Sequence, residues 1–546
     1  MLGQEKNAGS PTVVFVSFEN HYAPWGGLAA VMKMLPLIMS KSVRTVLFSP
    51  LFFNINKTRQ AIESSKLVAT NLKGKVLYKG FQHEIQLYKS TEFEDQPNFD
   101  IFLIRCDNFF LSGENPYHDS WRIDSLVHDS YFFSKSIPVA INCIKKEYPP
   151  PYIFHLQDWE TALVADIIPS SNGNKSVLTL HNPYDEFLPY DPQGRTILQF
   201  TIPKMQGLST VSKQFASEFQ HDVLIQGVLT QKLRQQFQIF NPIGINNGNF
   251  VNLCFPEHLQ CVEEVFAEKK RNRLEFHEIL AKSEDIKPKW GKQLDLTKEN
   301  VPIFFLFGRD EPKQKGFDVA AAAIYRLLRK NGRKAAYFVF TPIPSPRGLD
   351  SLAYLEDLCI DFEENVMVFP YRISKGYANL QKAANFVVMP SYYEPFGAAN
   401  EGYASGAPVI ARATGGLLQQ VCPMNFESLP AHIQKEVIKY HDDLSKPTGF
   451  LYREDPSTET RENWEYLLST DFSARRSVKE PIDWRNPIFW SMVTELEKVI
   501  ESAIIFYKEQ KSSYCNMILN GIHLFKEFSW EKSAIDYRKS LYKIKK

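Results

Sequence analysis

The chain has 546 residues, 44% of them hydrophobic and 23% charged, which is ordinary for a globular protein of roughly two to four domains. Its 63 Lys and Arg residues balance 62 Asp and Glu residues, which excludes a strongly basic surface for nucleic acid or an anionic membrane as main partner. The seven cysteines form no Cys-x-x-Cys pair, which excludes a zinc or disulfide framework and predicts a reducing, cytoplasmic location. No signal peptide and no run of about 18 apolar residues is found, so no membrane span is predicted.

Short apolar, β-branched segments recur along the chain and are separated by segments long enough for helices. This alternation predicts βαβ units and parallel sheets. In the first half the predicted strands are 13–18, 44–49, 101–105, 152–155, 176–181 and 208–211. In the second half they are 302–308, 336–341, 366–369, 386–390 and 408–411. Two such sets predict an α/β chain with two doubly wound, Rossmann-like domains.

Four further segments lack this strand pattern. Residues 263–300 are rich in Lys and Glu and are predicted to connect the domains through a helix or two. A second charged stretch, 453–483, is interpreted as a surface insertion. Residues 487–510 and 515–544 are predicted to be amphipathic helices, because their apolar residues recur at helical spacing.

Gly26 and Gly27 follow the first predicted strand and open a predicted helix from Leu28 to Met39. Glycines at such a turn allow a phosphate to approach the backbone, and the helix N-terminus offers free N–H groups and partial positive charge. A tight strand-to-helix turn without a ligand is the alternative, and the sequence leaves it open.

Two polar clusters follow strand ends in the first half, at residues 155–159 and 180–182. The carboxyl ends of parallel strands are where open α/β sheets bind ligands. Asp158, with the aromatic Trp159, could hold sugar hydroxyls there. The alternatives are that Asp158 caps the helix that follows it and that His181 is structural.

In the second half, Arg309 and Lys315 flank a loop directly after the first predicted strand. An Arg fork and a Lys charge around one turn can hold a diphosphate, although a solvated basic loop is the alternative. Glu394 and Glu401 follow strand 386–390, near the start of a predicted helix. A carboxylate there can accept sugar or ribose hydroxyls, and the turn 414–416 can present backbone amides to phosphate.

These motifs resemble, in the same order, those of the glycogen and starch synthases. The resemblance covers about residues 13–250, 300–420 and 520–545. The segments that carry it are Ala23–Leu28, similar to Lys-x-Gly-Gly-Leu; His155–Trp159, similar to His-x-His-Asp-Trp; Leu180–Asn182; Ser209–Ser212; the motifs around Arg309 and Glu394; and Phe528–Tyr542, similar to a final helix that crosses back onto the first domain.

The resemblance implies a GT-B fold, with two Rossmann-like domains facing across a cleft. It implies an acceptor-side domain at 1–255, a sugar-nucleotide domain at 256–510 and a C-terminal helical segment at 511–546. The implied reaction is transfer of glucose, with retention, from ADP- or UDP-glucose to an α-1,4-glucan. The implied partners are these substrates, with neither a cofactor nor a metal, and the oligomeric state is left open.

The resemblance also implies roles for individual residues. The implied catalytic residues are Glu394, His181, Asp158, Arg309 and Lys315. The implied donor-binding residues are Gly26, Gly27, Tyr371, Phe396, Gly397, Glu401, Thr414, Gly415 and Gly416, with Tyr371 stacking on the base.

Three departures from the family pattern stand out. Pro24 occupies the place of the loop lysine, Gln157 that of the second motif histidine, and Glu394 and Glu401 are seven positions apart, one fewer than usual. Two alternatives therefore stay open. One is a related transferase with another sugar nucleotide or acceptor, and the other is a catalytically silent glucan-binding relative.

Overall fold

The computed structural model describes residues 10–117, 125–168, 170–171, 173–259, 261–331, 336–344, 348–470, 478 and 486–544. The chain forms two compact units, Met1–Gly248 with Ser529–Lys546, and Asn249–Phe528. The sequence placed the domain changes at residues 255 and 510. In the structure the helix that ends at Lys526 still packs in the second unit, where Gly521 lies directly against the ring of Tyr403.

The strands are β1 Thr12–Val16, β2 Thr45–Pro50, β3 Leu67–Tyr78, β4 Phe81–Ser90, β5 Phe99–Arg105, β6 Tyr152–Gln157, β7 Lys175–Leu180, β8 Gly207–Thr210, β9 Ile243–Gly244, β10 Ile303–Arg309, β11 Tyr337–Ile343, β12 Val366–Val368, β13 Phe386–Met389, β14 Val409–Arg412 and β15 Gly449–Tyr452.

The α-helices are α1 Gly27–Ser40, α2 Asn56–Glu63, α3 Ser125–Ile144, α4 Trp159–Ala162, α5 Val164–Ile167, α6 Ile197–Thr201, α7 Lys213–His221, α8 Arg234–Phe240, α9 Val262–Lys282, α10 Phe317–Asn331, α11 Ala353–Asp361, α12 Tyr377–Ala383, α13 Ala399–Ala404, α14 Gly415–Gln420, α15 Ala431–Tyr440, α16 Arg461–Ser469, α17 Pro487–Glu509, α18 Lys511–Lys526 and α19 Trp530–Asp536.

The sheet of the first unit has the order β3-β4-β5-β2-β1-β6-β7-β8-β9. The pairs β3–β4 and β4–β5 are antiparallel and the other pairs are parallel. Without the β3–β4 hairpin, the order is that of a doubly wound nucleotide fold, and it reverses between β1 and β6. Ligands of such folds bind beyond the carboxyl ends of the strands at this reversal.

The sheet of the second unit is parallel, with the order β12-β11-β10-β13-β14-β15. It is the same doubly wound order, and here the reversal falls between β10 and β13. Phe304 and Phe386 are partners in this central pair, and both are fully buried. The two sheets confirm the predicted fold class of two doubly wound α/β domains.

The predicted strands are all present, but the β3–β4 hairpin was not predicted. Most side chains of β3 are exposed or half-buried, so the segment lacks the apolar run that marked the other strands. The hairpin turn contains Lys79, whose φ of 50° is unusual for a residue other than glycine. Strand β15 was also missed, because it directly precedes the charged stretch that was interpreted as an insertion.

The interpretation of 453–483 as a surface insertion is wrong for its first part. Arg453 and Glu454 are buried because their charges are paired within the unit. Trp464 on α16 is also fully buried. Residues 471–477 and 479–485 of this stretch lie outside the described residues.

The prediction for the C-terminal segments is half correct. Helix α17 matches the first predicted helix, but the second, 515–544, is interrupted after Lys526 and resumes at Trp530. The interruption has a local cause, since the Ser529 side chain accepts a hydrogen bond from the Lys532 N–H and so caps the start of α19. The charged segment 263–300 contains one long helix, α9, as predicted.

Candidate active site

In the second unit, two loops meet at the reversal point of the sheet. Lys315 follows β10 and Glu394 follows β13, and Lys315 Nζ lies 2.7 Å from Glu394 Oε2. Ser391 Oγ donates a hydrogen bond of 3.0 Å to the same carboxylate oxygen. The structure therefore brings together the basic loop and the acidic loop that the sequence singled out separately.

The backbones of these loops are in direct contact. The Tyr392 N–H donates to the Gln314 backbone oxygen at 2.7 Å. Gly316 has a φ of +62°, and a Cβ at this position would lie 2.1 Å from the Pro390 oxygen. Only glycine fits there, so the basic loop is held against the acidic loop by its own geometry.

Both cations of the basic loop remain within reach of a ligand. The side chain of Arg309 is 33% exposed and lies 3.6 Å from Glu311. The side chain of Lys315 is 20% exposed. Two partly desolvated cations on one loop are suited to a diphosphate, because their attraction to an anion is stronger than in bulk water.

Glu401 lies in the first turn of α13, whereas Glu394 precedes that helix by five residues. The sequence placed both acids near the helix start, and in the structure the turn 395–398 separates Glu394 from the helix. Burial raises the pKa of Glu401 to about 7, with Lys315 lowering it and Glu394 raising it. The charges of both Lys315 and Glu394 therefore influence the pKa of Glu401.

The turn 414–416 begins the short helix α14. The Gly416 N–H donates to the Glu394 backbone oxygen at 2.9 Å, so this amide is used within the protein. A Cβ on Gly416 would lie 2.6 Å from the Phe396 Cα, which explains why a glycine stands here. Phe396 and Gly397 thus pack on the 414–416 turn and hold Glu394 in place.

A buried ion network that the sequence did not reveal supports these loops. Arg412 pairs with Glu454 and donates to the Tyr392 backbone oxygen. Arg453 donates to the Ala413 backbone oxygen at 2.7 Å. Although burial alone would raise it, Arg412 and Arg453 hold the pKa of Glu454 at about 2. Arg453 and Glu454 lie in the charged stretch 453–483, which was interpreted from the sequence as a surface insertion.

In the first unit, a carboxylate of the chain itself occupies the glycine turn. Glu19 Oε1 accepts hydrogen bonds from the N–H groups of Gly26 at 2.6 Å, Trp25 at 3.0 Å and Ala29 at 3.0 Å. Tyr117 donates to the other oxygen at 3.1 Å. The sequence assigned these amides to a phosphate and missed Glu19, which lies three residues after β1. Gly27 is exposed, with open space beside it.

Asp158 follows β6, across the reversal point from β1. Its Oδ1 accepts the His181 N–H at 2.6 Å, and its Oδ2 accepts from Asn182 Nδ2 at 3.0 Å. The side chain makes no capping bond to α4, so the capping alternative is wrong. Its φ of 57° is unfavourable for a residue other than glycine, and strain of this kind concentrates at functional sites. Burial, with a contribution from Glu19, raises the pKa of Asp158 to about 8.

His181 follows β7, and its ring contacts Gln157, the residue that stands in the place of the second motif histidine. His181 Nε2 lies 2.8 Å from Gln157 Oε1. Burial lowers the pKa of His181 to about 3, so the ring is neutral at neutral pH. Backbone and ring of His181 are therefore both fixed, the first by Asp158 and the second by Gln157.

The remaining predicted site residue, Tyr371, follows β12. Its hydroxyl donates to the Lys287 backbone oxygen at 2.5 Å and accepts the Lys287 N–H at 3.1 Å. Its ring contacts Phe369 edge-on. Stacking of this ring on a nucleotide base stays a prediction.

The described residues contain neither a candidate metal site nor a candidate membrane span. No group of three or more His, Cys, Asp or Glu side chains is arranged to hold a metal ion. No helix within the described ranges is long and apolar enough to cross a membrane. The expectation that the reaction needs no metal stays a prediction.

Comparison with known proteins points to one class. A family model for the starch synthase catalytic domain matches residues 12–230, and a model for family 4 glycosyltransferases in conflict systems matches residues 260–462. The glycogen synthase of Natranaerobius thermophilus is 24% identical over 77% of this chain and 88% of its own length. That of Hydrogenovibrio crunogenus is 23% identical over 86% and 98%. The catalytic domain of starch synthase IV from Arabidopsis thaliana, solved with ADP and acarbose, aligns over 97% of this chain and 98% of its own, with a TM-score of 0.66 and 18% identity.

The two doubly wound units and these similarities define a GT-B glycosyltransferase. Within that class, the chain is similar to the glycogen synthases over most of its length and is a hexosyltransferase of the glycogen synthase type.

Proposed function

We propose that the enzyme transfers glucose from ADP- or UDP-glucose to an α-1,4-glucan, with retention at the anomeric carbon. The observation that carries the proposal is the contact between Lys315 and Glu394 at the reversal point of the second sheet. A cation for the diphosphate and a carboxylate for sugar hydroxyls stand side by side there. This is the pair of contacts that a sugar nucleotide needs where its phosphate joins its sugar.

Arg309 and Lys315 would hold the donor diphosphate and stabilise the negative charge that develops on the leaving group, an electrostatic role that needs no metal. When the donor binds, Lys315 would leave Glu394 and pair with the phosphate. Glu394 would then orient hydroxyls of the glucosyl group. Phe396 and Gly397 would contribute their backbone, and Glu401 would contact the ribose. Fixed charges of this kind act without reorganising during the reaction.

In the first unit, Asp158 and His181 would contact the sugars. The partly buried, neutral imidazole of His181 favours an uncharged partner, and its backbone carbonyl would face the developing positive charge at the anomeric carbon. Since Glu19 takes the Gly26 amide, we assign the diphosphate mainly to the cations of the second unit. Of the glycine turn, only Gly27 is left to contribute its backbone.

We also propose the cytoplasm as the compartment. All seven cysteines are free, and several are buried thiols that no disulfide constrains. This pattern is typical of proteins in a reducing environment.

The proposal is tested by measuring nucleoside diphosphate release from ADP-glucose, UDP-glucose and sugar nucleotides with other sugars, each with and without glycogen. Release from a glucose donor that requires glycogen is expected. Release that glycogen does not affect would point to another acceptor. No release from any donor, together with binding of glycogen, would identify a catalytically silent glucan-binding relative.

A further inference from the structure

The side chain of Gln157 lies between two groups with defined hydrogen-bonding roles. Gln157 Nε2 lies 3.2 Å from the backbone oxygen of His155, and a carbonyl oxygen can only accept. The amide nitrogen can only donate, so this contact fixes which way the amide points. Gln157 Oε1 therefore faces His181, whose Nε2 is 2.8 Å away.

This orientation determines the protonation of the His181 ring. An amide oxygen can only accept, so His181 Nε2 must carry the hydrogen. The ring is neutral, because burial lowers the pKa of His181 to about 3, and a neutral imidazole has a single N–H. His181 Nδ1 therefore has a lone pair. In the part of the chain that the structure describes, no hydrogen bond to this nitrogen is found, and His181 is partly exposed.

The surroundings keep this arrangement rigid. Gln157 and His155 are fully buried. The His155 ring is itself held at both nitrogens, by Thr179 Oγ1 at 2.6 Å and by the Tyr542 hydroxyl at 2.7 Å. The His181 backbone is fixed by Asp158. Because a glutamine amide has no second tautomer, Gln157 Oε1 remains a hydrogen-bond acceptor toward His181 when the pH changes.

We propose that Gln157 is a positioning residue that fixes His181 as the Nε2–H tautomer, so that Nδ1 is presented as a hydrogen-bond acceptor to a hydroxyl group of the sugar substrate. A neutral nitrogen with a lone pair repels phosphate oxygens, which are also acceptors. His181 therefore selects the sugar part of the donor rather than its diphosphate. The substrate class in this proposal rests on the proposed function, whereas the tautomer rests on this chain alone.

The tautomer is read directly by nitrogen NMR of the full chain labelled in histidine, with the His181 signals assigned by their loss in His181→Asn. In the wild type near neutral pH we expect a protonated Nε2 and an unprotonated Nδ1. Gln157→Met keeps the size of the side chain and removes both amide atoms, and we expect a mixture of tautomers. A wild-type Nδ1–H tautomer, or an unchanged tautomer in Gln157→Met, would overturn the proposal.

The kinetic test separates positioning from general stability. In Gln157→Met we expect kcat/KM for the sugar nucleotide to fall by about 2- to 10-fold, the range of one neutral hydrogen bond, with unchanged affinity for the free nucleoside diphosphate. Gln86→Met is the matched control, because it removes a glutamine that donates to the Thr70 backbone oxygen at 2.9 Å elsewhere in the first unit, and it should change neither quantity.

Weakened binding of the free nucleoside diphosphate in Gln157→Met would contradict the assignment of His181 to the sugar. If Gln157→Met does not fold, the wild-type spectrum still decides the tautomer. If the wild type has the expected tautomer but transfers no sugar, the proposed function fails and the assignment of the tautomer stands.

Discussion

Lys315 Nζ and Glu394 Oε2 lie 2.7 Å apart, although their residues are 79 positions apart in the chain. The contact exists because β10 and β13 are neighbours at the point where the strand order reverses. The pair is only partly exposed, so each charge depends on the other until a ligand replaces one of them. A donor whose phosphate attracts Lys315 and whose hydroxyls donate to Glu394 satisfies both.

Replacing Glu394 by Gln should lower turnover by at least about 100-fold, since an interaction of the transition state is lost. Stability should fall by no more than about 1–3 kcal/mol, because the pair with Lys315 is largely buried but an amide can still accept a hydrogen bond from Lys315. Both quantities are measured on one preparation. Glu84→Gln, which alters the exposed ion pair with Lys73, is the control and should leave both unchanged. A fully active Glu394→Gln enzyme would remove Glu394 from the site.

Arg309→Ala and Lys315→Ala should each weaken donor binding by about 10- to 150-fold, the effect of losing one charge-assisted contact to phosphate. Affinity for the free nucleoside diphosphate is measured by calorimetry. Lys282→Ala, which removes an exposed cation paired with Glu278, should bind like the wild type. Unchanged binding in both site variants would show that the diphosphate lies elsewhere.

Pro24→Lys should lower the donor KM or raise turnover by a few-fold, because it adds a cation beside a turn whose Gly26 amide is already taken by Glu19. Pro24 is exposed, so the new side chain has room, and a screened surface charge contributes about 0.2–1 kcal/mol. Pro24→Ala removes the ring without adding charge and serves as the control. Equal kinetics in the two variants would mean that charge at this position does not matter.

Above about pH 6.5, where the partly buried, neutral His181 no longer opposes the effect of Asp158, the free energy of unfolding should decrease as the pH rises to about 8. Burial raises the pKa of Asp158 to about 8, whereas the unfolded chain releases this proton near pH 4. In this window the folded state binds more protons than the unfolded state, so rising pH favours unfolding, by up to about 1.4 kcal/mol per pH unit for one such group.

Asp158→Asn should flatten this pH dependence, which denaturant unfolding at several pH values measures. Glu19 and Glu160 are also buried acids with raised pKa values, so a residual slope is expected. Asp107→Asn, at an exposed acid with 82% of its side chain accessible, should keep the wild-type slope. An Asp158→Asn protein with the full wild-type slope would show that Asp158 is ionised in the folded state.

Much of the site could be predicted because strand ends are visible in sequence. Arg309 ends an apolar strand, Glu394 and Asp158 follow apolar strands, and within each sheet parallel strands place such positions on one edge. The pairing of Lys315 with Glu394 could not be derived, since it depends on which strands are neighbours. Predicting where the strands lie in the sequence does not predict their order in the sheet, and this order decides which strands are neighbours.

Charged residues that lie inside the protein were the main source of error. Arg453 and Glu454 were interpreted as surface because isolated charges are rarely buried. In the structure Glu454 pairs with Arg412 of β14, and Arg453 pairs with Glu459 of the same stretch. Glu19 was missed for a related reason. A lone carboxylate after a strand carries no sign that it will accept three backbone N–H groups.

Incubating the enzyme with a maltooligosaccharide and with ADP-glucose or UDP-glucose, and analysing the product by mass spectrometry and NMR, tests the proposed reaction itself. We expect oligosaccharides lengthened by single glucose units through α-1,4 linkages, with Lys315→Ala and Glu394→Gln strongly impaired. Unchanged oligosaccharides with both donors, from folded enzyme that still binds nucleoside diphosphate, would contradict the proposed reaction.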